Sequence, residues 1–268
     1  MSTPRIHLFW DNSNIFHSAQ RYAERIESYA IRNSVRIHFM NLYKLALAGR
    51  QMASGVAVGS VPPEQEHLWD SFTKGTTIKP ELYERGAISK KEQGVDQCLQ
   101  THMLRAVTDE KEPQIAVLLT GDGQGYDDGV GFHADLERMY KAGWGIEVIS
   151  WDLACKGTLK RWASSIGSYI QLESYYNSVT FVEGGRGIIP LSLTSRQKSS
   201  IGGSPEYKAD LARVASEAIK TETLHKLERQ NEELESMLAK AKADKEKAEE
   251  KAKYLKRVAH TAKKKKRR

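Results

Sequence analysis

Two acidic residues stand where apolar segments end, and this placement favours a chemical role. Asp11 follows the mainly apolar run 5–10, and Asp122 follows the run 115–120 after one glycine. Each run is typical of a buried strand, and each is followed by residues that begin a helix. In parallel α/β sheets, ligands bind outside the carboxyl ends of the strands. The two carboxylates are therefore predicted to lie at one edge of a sheet.

Apolar runs of strand length alternate along the chain with stretches of helical periodicity. This alternation predicts an α/β fold in which a central parallel sheet is covered by helices on both faces. Residues 15–47 are expected to form two helices with a break near 31–34, and residues 64–83 irregular structure or a short strand. The expected strands are 5–10, 51–61, 115–120, 146–151 and 168–172, and the later helices begin near 95, 131 and 157.

A third acid, Asp96, lies in the first turn of a predicted helix. The apolar residues between Val95 and Met103 keep a helical spacing, and Gly94 leaves room for a close approach at the helix start. An acid in a first turn is favoured by the helix dipole in any protein, so Asp96 also has a purely structural explanation. Asp11 has a second role as a helix N-cap, and this role is compatible with ligand binding.

The order of these motifs resembles that of the NYN domains, which belong to the PIN-like nuclease superfamily. The matching motifs are Asp11-x-x-Asn14 after a strand, Lys91-x-x-Gly94-Val95-Asp96 at a helix start, Thr120-Gly121-Asp122 after a strand, and 143–148 as a helix end and the next strand. The resemblance covers residues 5–172. It implies a PIN-like three-layer α/β/α sandwich that hydrolyses RNA with Mg²⁺ or Mn²⁺. Matched position by position, it implies Asp11, Asp96 and Asp122 as catalytic metal ligands and Asn14 as their polar support.

The chemistry of these residue types agrees with the resemblance. Hard divalent cations prefer oxygen ligands, and three acids from three elements repel one another unless a cation lies between them. Such a cation lowers the pKa of a bound water and neutralises charge on the leaving oxygen. Asn14, Lys91 and Gln124 are expected to face the substrate. For Lys91, the alternative to a phosphate contact is an exposed surface lysine.

Gln124 departs from the family pattern, in which many members carry a second acid two residues after the strand-end Asp. A neutral amide can hold a water but brings no charge to a metal. Either Asp127 or Asp128 reaches back to the metal, or both are solvated loop residues and the site is weakened. Two functions therefore remain open. One is a metal-dependent ribonuclease acting on single-stranded RNA, and the other is an inactive NYN-like module that binds nucleic acid or protein.

The formal net charge of +7 comes from the C-terminal end of the chain. Residues 1–205 carry 22 basic and 22 acidic side chains, residues 206–250 carry 9 and 12, and residues 251–268 carry 10 and none. The predicted divisions are a nuclease domain over 1–182, a flexible linker over 183–205, a helix over 206–262 and a basic tail over 263–268. The tail is expected to attract RNA without regard to its sequence.

The helical segment has heptad spacing from Leu224, with Asn231 at an a position, which favours a homodimeric coiled coil. A single solvated helix is the alternative. No apolar run reaches the roughly 18 residues needed to cross a bilayer, and no signal pattern is present, so no membrane partner is expected. The two cysteines are expected to be reduced thiols. The expected location is the cytoplasm, or the nucleus if the protein is eukaryotic and its basic tail is a localisation signal.

Overall fold

A computed structural model describes residues 3–60, 66–78, 80–83, 94–120 and 129–265. The chain divides into two units, Met1–Ala209 and Asp210–Arg268. The strands are β1 (Ile6–Asp11), β2 (Val35–Ile37), β3 (Met52–Ser60), β4 (Pro80–Tyr83), β5 (Ile115–Leu119), β6 (Gly145–Ser150), β7 (Ser168–Gln171) and β8 (Thr180–Val182). The helices are α1 (Asn12–Ile26), α2 (Phe39–Leu47), α3 (Glu66–Gly75), α4 (Val95–Asp109), α5 (Gly131–Lys141), α6 (Gly157–Ile166), α7 (Tyr176–Val179) and α8 (Pro205–Lys265).

Six strands form one parallel sheet in the order β4-β3-β1-β5-β6-β7. From β1 the chain moves outward through β3 to β4, and then returns to β5 on the other side of β1. The direction of strand addition therefore reverses between β1 and β5, which makes their carboxyl ends the switch point of the sheet. Helices α1, α4 and α5 each follow a strand of this sheet, so each begins at its carboxyl edge.

Helices cover both faces of this sheet. Strand β5 is buried at every position, and its side chains alternate between two apolar clusters. Ile115, Val117 and Leu119 belong to the cluster formed with α1, α2 and α3, whereas Ala116 and Leu118 pack with α4, α5 and α6. The predicted three-layer α/β/α architecture with a central parallel sheet is therefore confirmed.

Two regions of the chain differ from the sequence prediction. The stretch predicted as irregular or a short strand contains α3 as well as β4, because Trp69 and Phe72 bury one face of a ten-residue helix. Between α1 and α2 the chain forms a 3-10 turn, Tyr29–Ser34, and then strand β2. Strand β2 pairs in antiparallel fashion with β8 in a separate two-stranded sheet. A three-residue strand whose partner lies far along the chain carries little local signal.

The segment 183–204, which falls within the predicted linker, is part of the first unit and is held to the rest of it by hydrogen bonds. Arg196 is buried, and its Nε donates to the carbonyl oxygen of Leu45 at 3.0 Å. At the start of α8, the ring of Tyr207 covers Gly143, where an added Cβ would lie 2.5 Å from the ring. Gly143 also has φ +87°, so both the close approach and the backbone angle require glycine.

Helix α8 forms the described part of the second unit. Four leucines that the heptad pattern places at positions a and d are exposed along it: Leu224, Leu227, Leu234 and Leu238. A long C-terminal helix is thus confirmed, and its pairing with a second copy remains a prediction. Within the described residues, no helix is both long enough and apolar enough to span a membrane.

Candidate functional site

Asp11 is the last residue of β1 and lies at the switch point of the sheet. Its side chain is buried, with 5% exposure, although a carboxylate normally prefers water. Its Oδ1 accepts a hydrogen bond from the backbone N–H of Asn14 at 3.0 Å. Its Oδ2 accepts a second one from the hydroxyl of Thr120 at 3.2 Å. The two donors fix the orientation of the carboxylate from two different elements.

Thr120 follows the last residue of β5 and is fully buried. Because β1 and β5 are paired neighbours, with Trp10 opposite Leu119, their next residues lie side by side at the carboxyl edge. In the sequence, Thr120 is part of a strand-end motif and has no predicted role in the site. Its hydroxyl at a strand end was a signal, but the bond to Asp11 requires the strand order.

Helix α1 begins directly at Asp11, which serves as its N-cap. The predicted support of Asp11 by Asn14 therefore takes the form of a capping hydrogen bond from the Asn14 backbone. The side-chain Oδ1 of Asn14 accepts a hydrogen bond from Ser18 at 3.4 Å, one turn later. The capping bond explains why an acid stands at the start of α1. The hydrogen bond from Thr120 is not needed for capping, and it fixes the second carboxylate oxygen as well.

Asp96 lies in the first turn of α4 and is exposed. Helix α4 begins at the carboxyl edge and packs against Phe9 of β1 and Val58 of β3, so Asp96 occupies the same edge of the sheet as Asp11. The other predicted site residues lie outside the described residues: Lys91, Asp122, Gln124, Asp127 and Asp128. Their roles remain predictions, and Asp122 follows the described residue Thr120 by two positions.

An aromatic cavity of about 340 Å³ lies at the beginning of α1. Asn12, the residue after Asp11, lines it together with Phe16, Phe39 and Trp69. The rings of Phe39 and Trp69 are stacked with their centroids 5.8 Å apart. Arg36 lines the same cavity and is paired at 2.8 Å with Glu183, which is also a lining residue. Aromatic side chains in a cavity wall can stack on nucleic-acid bases.

Two further residues shape this cavity. Gly59 near the end of β3 lies against Trp69, and a Cβ at this position would approach the ring within 2.7 Å. His38 lines the cavity and caps α2 by accepting a hydrogen bond from the backbone N–H of Asn41 at its Nδ1. Burial lowers the pKa of His38, which favours the neutral imidazole that this acceptor role requires.

The described residues thus define an α/β sandwich with an oriented acid at the switch point of its parallel sheet. Carboxylate oxygens at this position fit hard divalent cations such as Mg²⁺ and Mn²⁺. Asp11 has the donor type and the fixed orientation that such an ion needs, and Asp96 places a second carboxylate at the same edge.

Comparisons with known proteins add a structural similarity. No protein-family model matches the chain, and no curated protein matches it in sequence. A crystal structure of a protein of unknown function from Vibrio parahaemolyticus is similar at a TM-score of 0.46 with 13% sequence identity. The similarity covers 64% of this chain and 96% of the Vibrio chain.

Proposed function

We propose that this protein is a metal-dependent ribonuclease of the NYN type that hydrolyses phosphodiester bonds in single-stranded RNA. The observation that carries the proposal is the buried carboxylate of Asp11, oriented by Asn14 and Thr120 at the switch point of the sheet. Binding a ligand explains why a chain would bury an acid at a strand end and orient it from two sides.

In this proposal Asp11, Asp96 and Asp122 hold Mg²⁺ or Mn²⁺, with Asp127 or Asp128 as a further ligand. When bound, the ion supplies an activated water and neutralises negative charge on the leaving oxygen. The chain's own residues position the substrate. Thr120 and the backbone of Asn14 keep the Asp11 carboxylate aimed at one place, and Lys91 and Gln124 contact the RNA.

The aromatic cavity lined by Asn12 supports RNA as the substrate class. Phe39 is half-buried and lines this cavity, so its ring offers a surface on which an unpaired base can stack, and such a stack contributes about 1 to 3 kcal/mol. Arg36 lines the same cavity and is paired with Glu183, so a phosphate bound there replaces that carboxylate as its partner. Asn12, which follows Asp11 in the chain, also lines the cavity.

The C-terminal helix and tail raise affinity in this proposal without contributing to chemistry. The basic residues of 251–268 bind the RNA backbone, and the exposed leucines of α8 bring two copies together as a homodimer. Both cysteines are free thiols, and we propose the cytosol as the location of the activity.

The test is cleavage of a labelled single-stranded RNA by the full chain with Mn²⁺, with Mg²⁺ and with EDTA. We expect cleavage with either metal, no cleavage with EDTA, and a loss of about 100-fold or more in the Asp11→Asn and Asp96→Asn variants. Asn preserves the N-cap of α1, so Asp11→Asn should remain folded. The matched control is Asp109→Asn, an exposed acid in the last turn of α4 at the opposite end from Asp96.

Each other outcome has a definite meaning. Cleavage that persists in EDTA or in Asp11→Asn contradicts the proposed site. If the folded protein binds RNA but does not cleave it with either metal, the result supports the inactive binding module instead of the nuclease. A second arm compares the full chain with a chain ending at Ala209. We expect the shorter chain to be monomeric by light scattering and to need more RNA for half-maximal rate, with less dependence on salt.

A further inference from the structure

A second group of metal-ligating side chains lies between the edge strand β4 and helix α4. It consists of Glu81 on β4 with Cys98 and His102 on α4. The thiol of Cys98 contacts Oε2 of Glu81 at 2.9 Å, and Nε2 of His102 contacts Oε1 of the same carboxylate at 2.7 Å. The three ligand atoms lie within 4.8 Å of one another. One carboxylate thus joins a thiol and an imidazole.

The backbone accounts for this convergence. Cys98 and His102 are four residues apart, so they lie on the same face of α4, one turn from each other. Glu81 pairs with Val58 of β3, whose side chain packs in the cluster that contains α4, so the Glu81 side chain is directed to this helix. The group lies in a cavity of about 350 Å³ that is open to solvent.

We propose that Glu81, Cys98 and His102 form a binding site for a zinc ion. Thiolate, imidazole and carboxylate are the three side-chain ligand types that zinc combines, and the soft thiolate disfavours Mg²⁺ and Mn²⁺. In a tetrahedral zinc site the ligand atoms lie about 3.3 to 3.8 Å apart, which follows from metal–ligand distances of about 2.0 to 2.3 Å. The three ligand atoms already lie within 4.8 Å of one another, and the contacts of 2.9 and 2.7 Å to the carboxylate lengthen when a zinc ion lies between the ligands.

The site differs from a cysteine nucleophile in both chemistry and geometry. Burial and the hydrogen bond to Glu81 raise the pKa of the Cys98 thiol to about 11, so it is protonated near neutral pH. In a Cys–His nucleophile the imidazole takes the thiol proton directly, whereas here the Glu81 carboxylate lies between Cys98 and His102. A zinc ion displaces the thiol proton to solvent and takes its place between the sulfur and the carboxylate oxygen.

The surroundings leave a position for a fourth ligand. The side chain of Glu81 is 42% exposed and that of His102 is 30% exposed, while Cys98 is buried. The open side of the cavity lets a water complete the coordination, as in zinc sites with three protein ligands. Hydrogen bonds from Cys98 and His102 lower the pKa of Glu81, and the positive charge of Arg105, which also lines the cavity, lowers it further. These effects keep the carboxylate ionised.

This site is separate from the proposed nuclease centre and does not depend on it. In the sheet, Asp11 pairs with Val58 and Val58 pairs with Glu81, so Glu81 lies two strands away from Asp11 in the same row. A strand spacing of about 4.8 Å puts the two backbone positions on the order of 10 Å apart. Zinc there ties the short edge strand β4 to the beginning of α4, the helix that carries Asp96.

The test is zinc and cobalt binding by the full chain after metal has been removed with a chelator. We expect one zinc per chain to bind in a way that depends on Cys98, and Co²⁺ to give the sulfur-to-cobalt charge-transfer absorption that oxygen ligands cannot give. Cys98→Ser should abolish that absorption, and both Cys98→Ser and His102→Gln should weaken zinc binding about 100-fold or more. The control is Cys155→Ser, which alters the other thiol and should change neither result.

Unchanged zinc affinity in Cys98→Ser and His102→Gln overturns the proposal, as does the absence of zinc binding by folded wild-type chain at micromolar free zinc. His102→Gln alters a partly exposed side chain, so it provides an answer even if Cys98→Ser disturbs folding. Thiolate absorption distinguishes this site from zinc held by Asp11 and Asp96, which are oxygen ligands. If zinc does not bind, the RNA cleavage proposal still stands. If RNA is not cleaved, the zinc proposal still stands.

Discussion

The parallel sheet has an amino edge, where its strands begin, and a carboxyl edge, where they end. Each contains a buried carboxylate, and the surroundings of the two carboxylates differ. Near the amino edge, Glu147 of β6 is fully buried and binds Arg50 at 2.7 Å and Arg196 at 2.6 Å. Burial alone raises the pKa of Glu147, but the hydrogen bonds and positive charges of the two arginines lower it overall. At the carboxyl edge, Asp11 is also buried and receives hydrogen bonds from two neutral donors.

This difference separates a structural carboxylate from a candidate functional one. Glu147 and its arginines form an ion network that fastens segment 183–204 to the sheet, since the backbone N–H of Ser199 also donates to Glu147 at 2.7 Å. The two donors described for Asp11, a backbone N–H and a hydroxyl, are neutral and fix its orientation. Removing negative charge should therefore have opposite consequences at the two edges.

The largest expected effect is at the amino edge. Glu147→Gln leaves Arg50 and Arg196 buried without their shared anion, so we expect the free energy of unfolding to fall by about 3 to 5 kcal/mol. Urea unfolding at neutral pH measures this loss of stability, and the control is Glu112→Gln, which changes an exposed acid. A loss below about 1 kcal/mol would show that the network is solvated and that the contrast between the edges is wrong.

A smaller effect concerns His7, which lies near the amino edge beside Glu110, with an Nε2–Oε1 distance of 3.2 Å. Burial lowers its pKa below 6.5 despite the raising effect of Glu110, so the unfolded chain binds the proton more readily. Stability contributed by neutral His7 is therefore present above about pH 6.5 and is lost as the pH falls below it. The slope is at most about 1.4 kcal/mol per pH unit for one histidine.

The measurement for His7 is the free energy of unfolding between pH 7 and pH 5. His7→Asn should flatten the decline, since it removes a titrating group and keeps a polar atom near Nδ1, which contacts Ser54 at 2.8 Å. Part of the decline should remain, because burial also lowers the pKa of His133. The exposed His225→Asn should leave the wild-type decline unchanged, and an equal slope in His7→Asn would contradict the prediction.

The smallest expected effect is at the carboxyl edge. Asp11→Ala removes the N-cap of α1 and should lower the free energy of unfolding by about 1 kcal/mol, whereas Asp11→Asn keeps the cap. In EDTA, we expect Asp11→Asn to be as stable as the wild type or more stable, because it relieves repulsion among the predicted acids. Thermal melting of both variants checks this. A marked loss in Asp11→Asn would make its charge structural, like that of Glu147.

The local elements were largely predictable. Helices α5 and α6 begin at the predicted residues Gly131 and Gly157, because apolar periodicity and glycines mark their starts. Strands β1, β5 and β6 were evident as apolar runs. Helix α3 was missed because Gly75, the β-branched run 76–78 and Pro80 indicate irregular structure, and strands β2 and β8 because each has only three residues. In these cases the stabilising contacts come from distant parts of the chain.

In the candidate sites too, local features could be predicted and contacts between distant residues could not. The strand end at Asp11 was visible in the sequence, but its bond to Thr120 was not, because 109 residues separate the two. Arg196 belongs to a stretch with linker composition, and only its burial against Glu147 makes it structural. Cys98 was interpreted as an ordinary thiol, since nothing in the sequence places Glu81 beside it.

The sequence by itself determined most of the main strands and helices and which acids follow the strands, because periodicity and capping act within a few residues. The tertiary structure decided the strand order, and with it the neighbours of Asp11, Glu147 and Glu81. Strand neighbours are chosen by the packing of the whole core, in which many small free energies compete. No short stretch of residues contains that information.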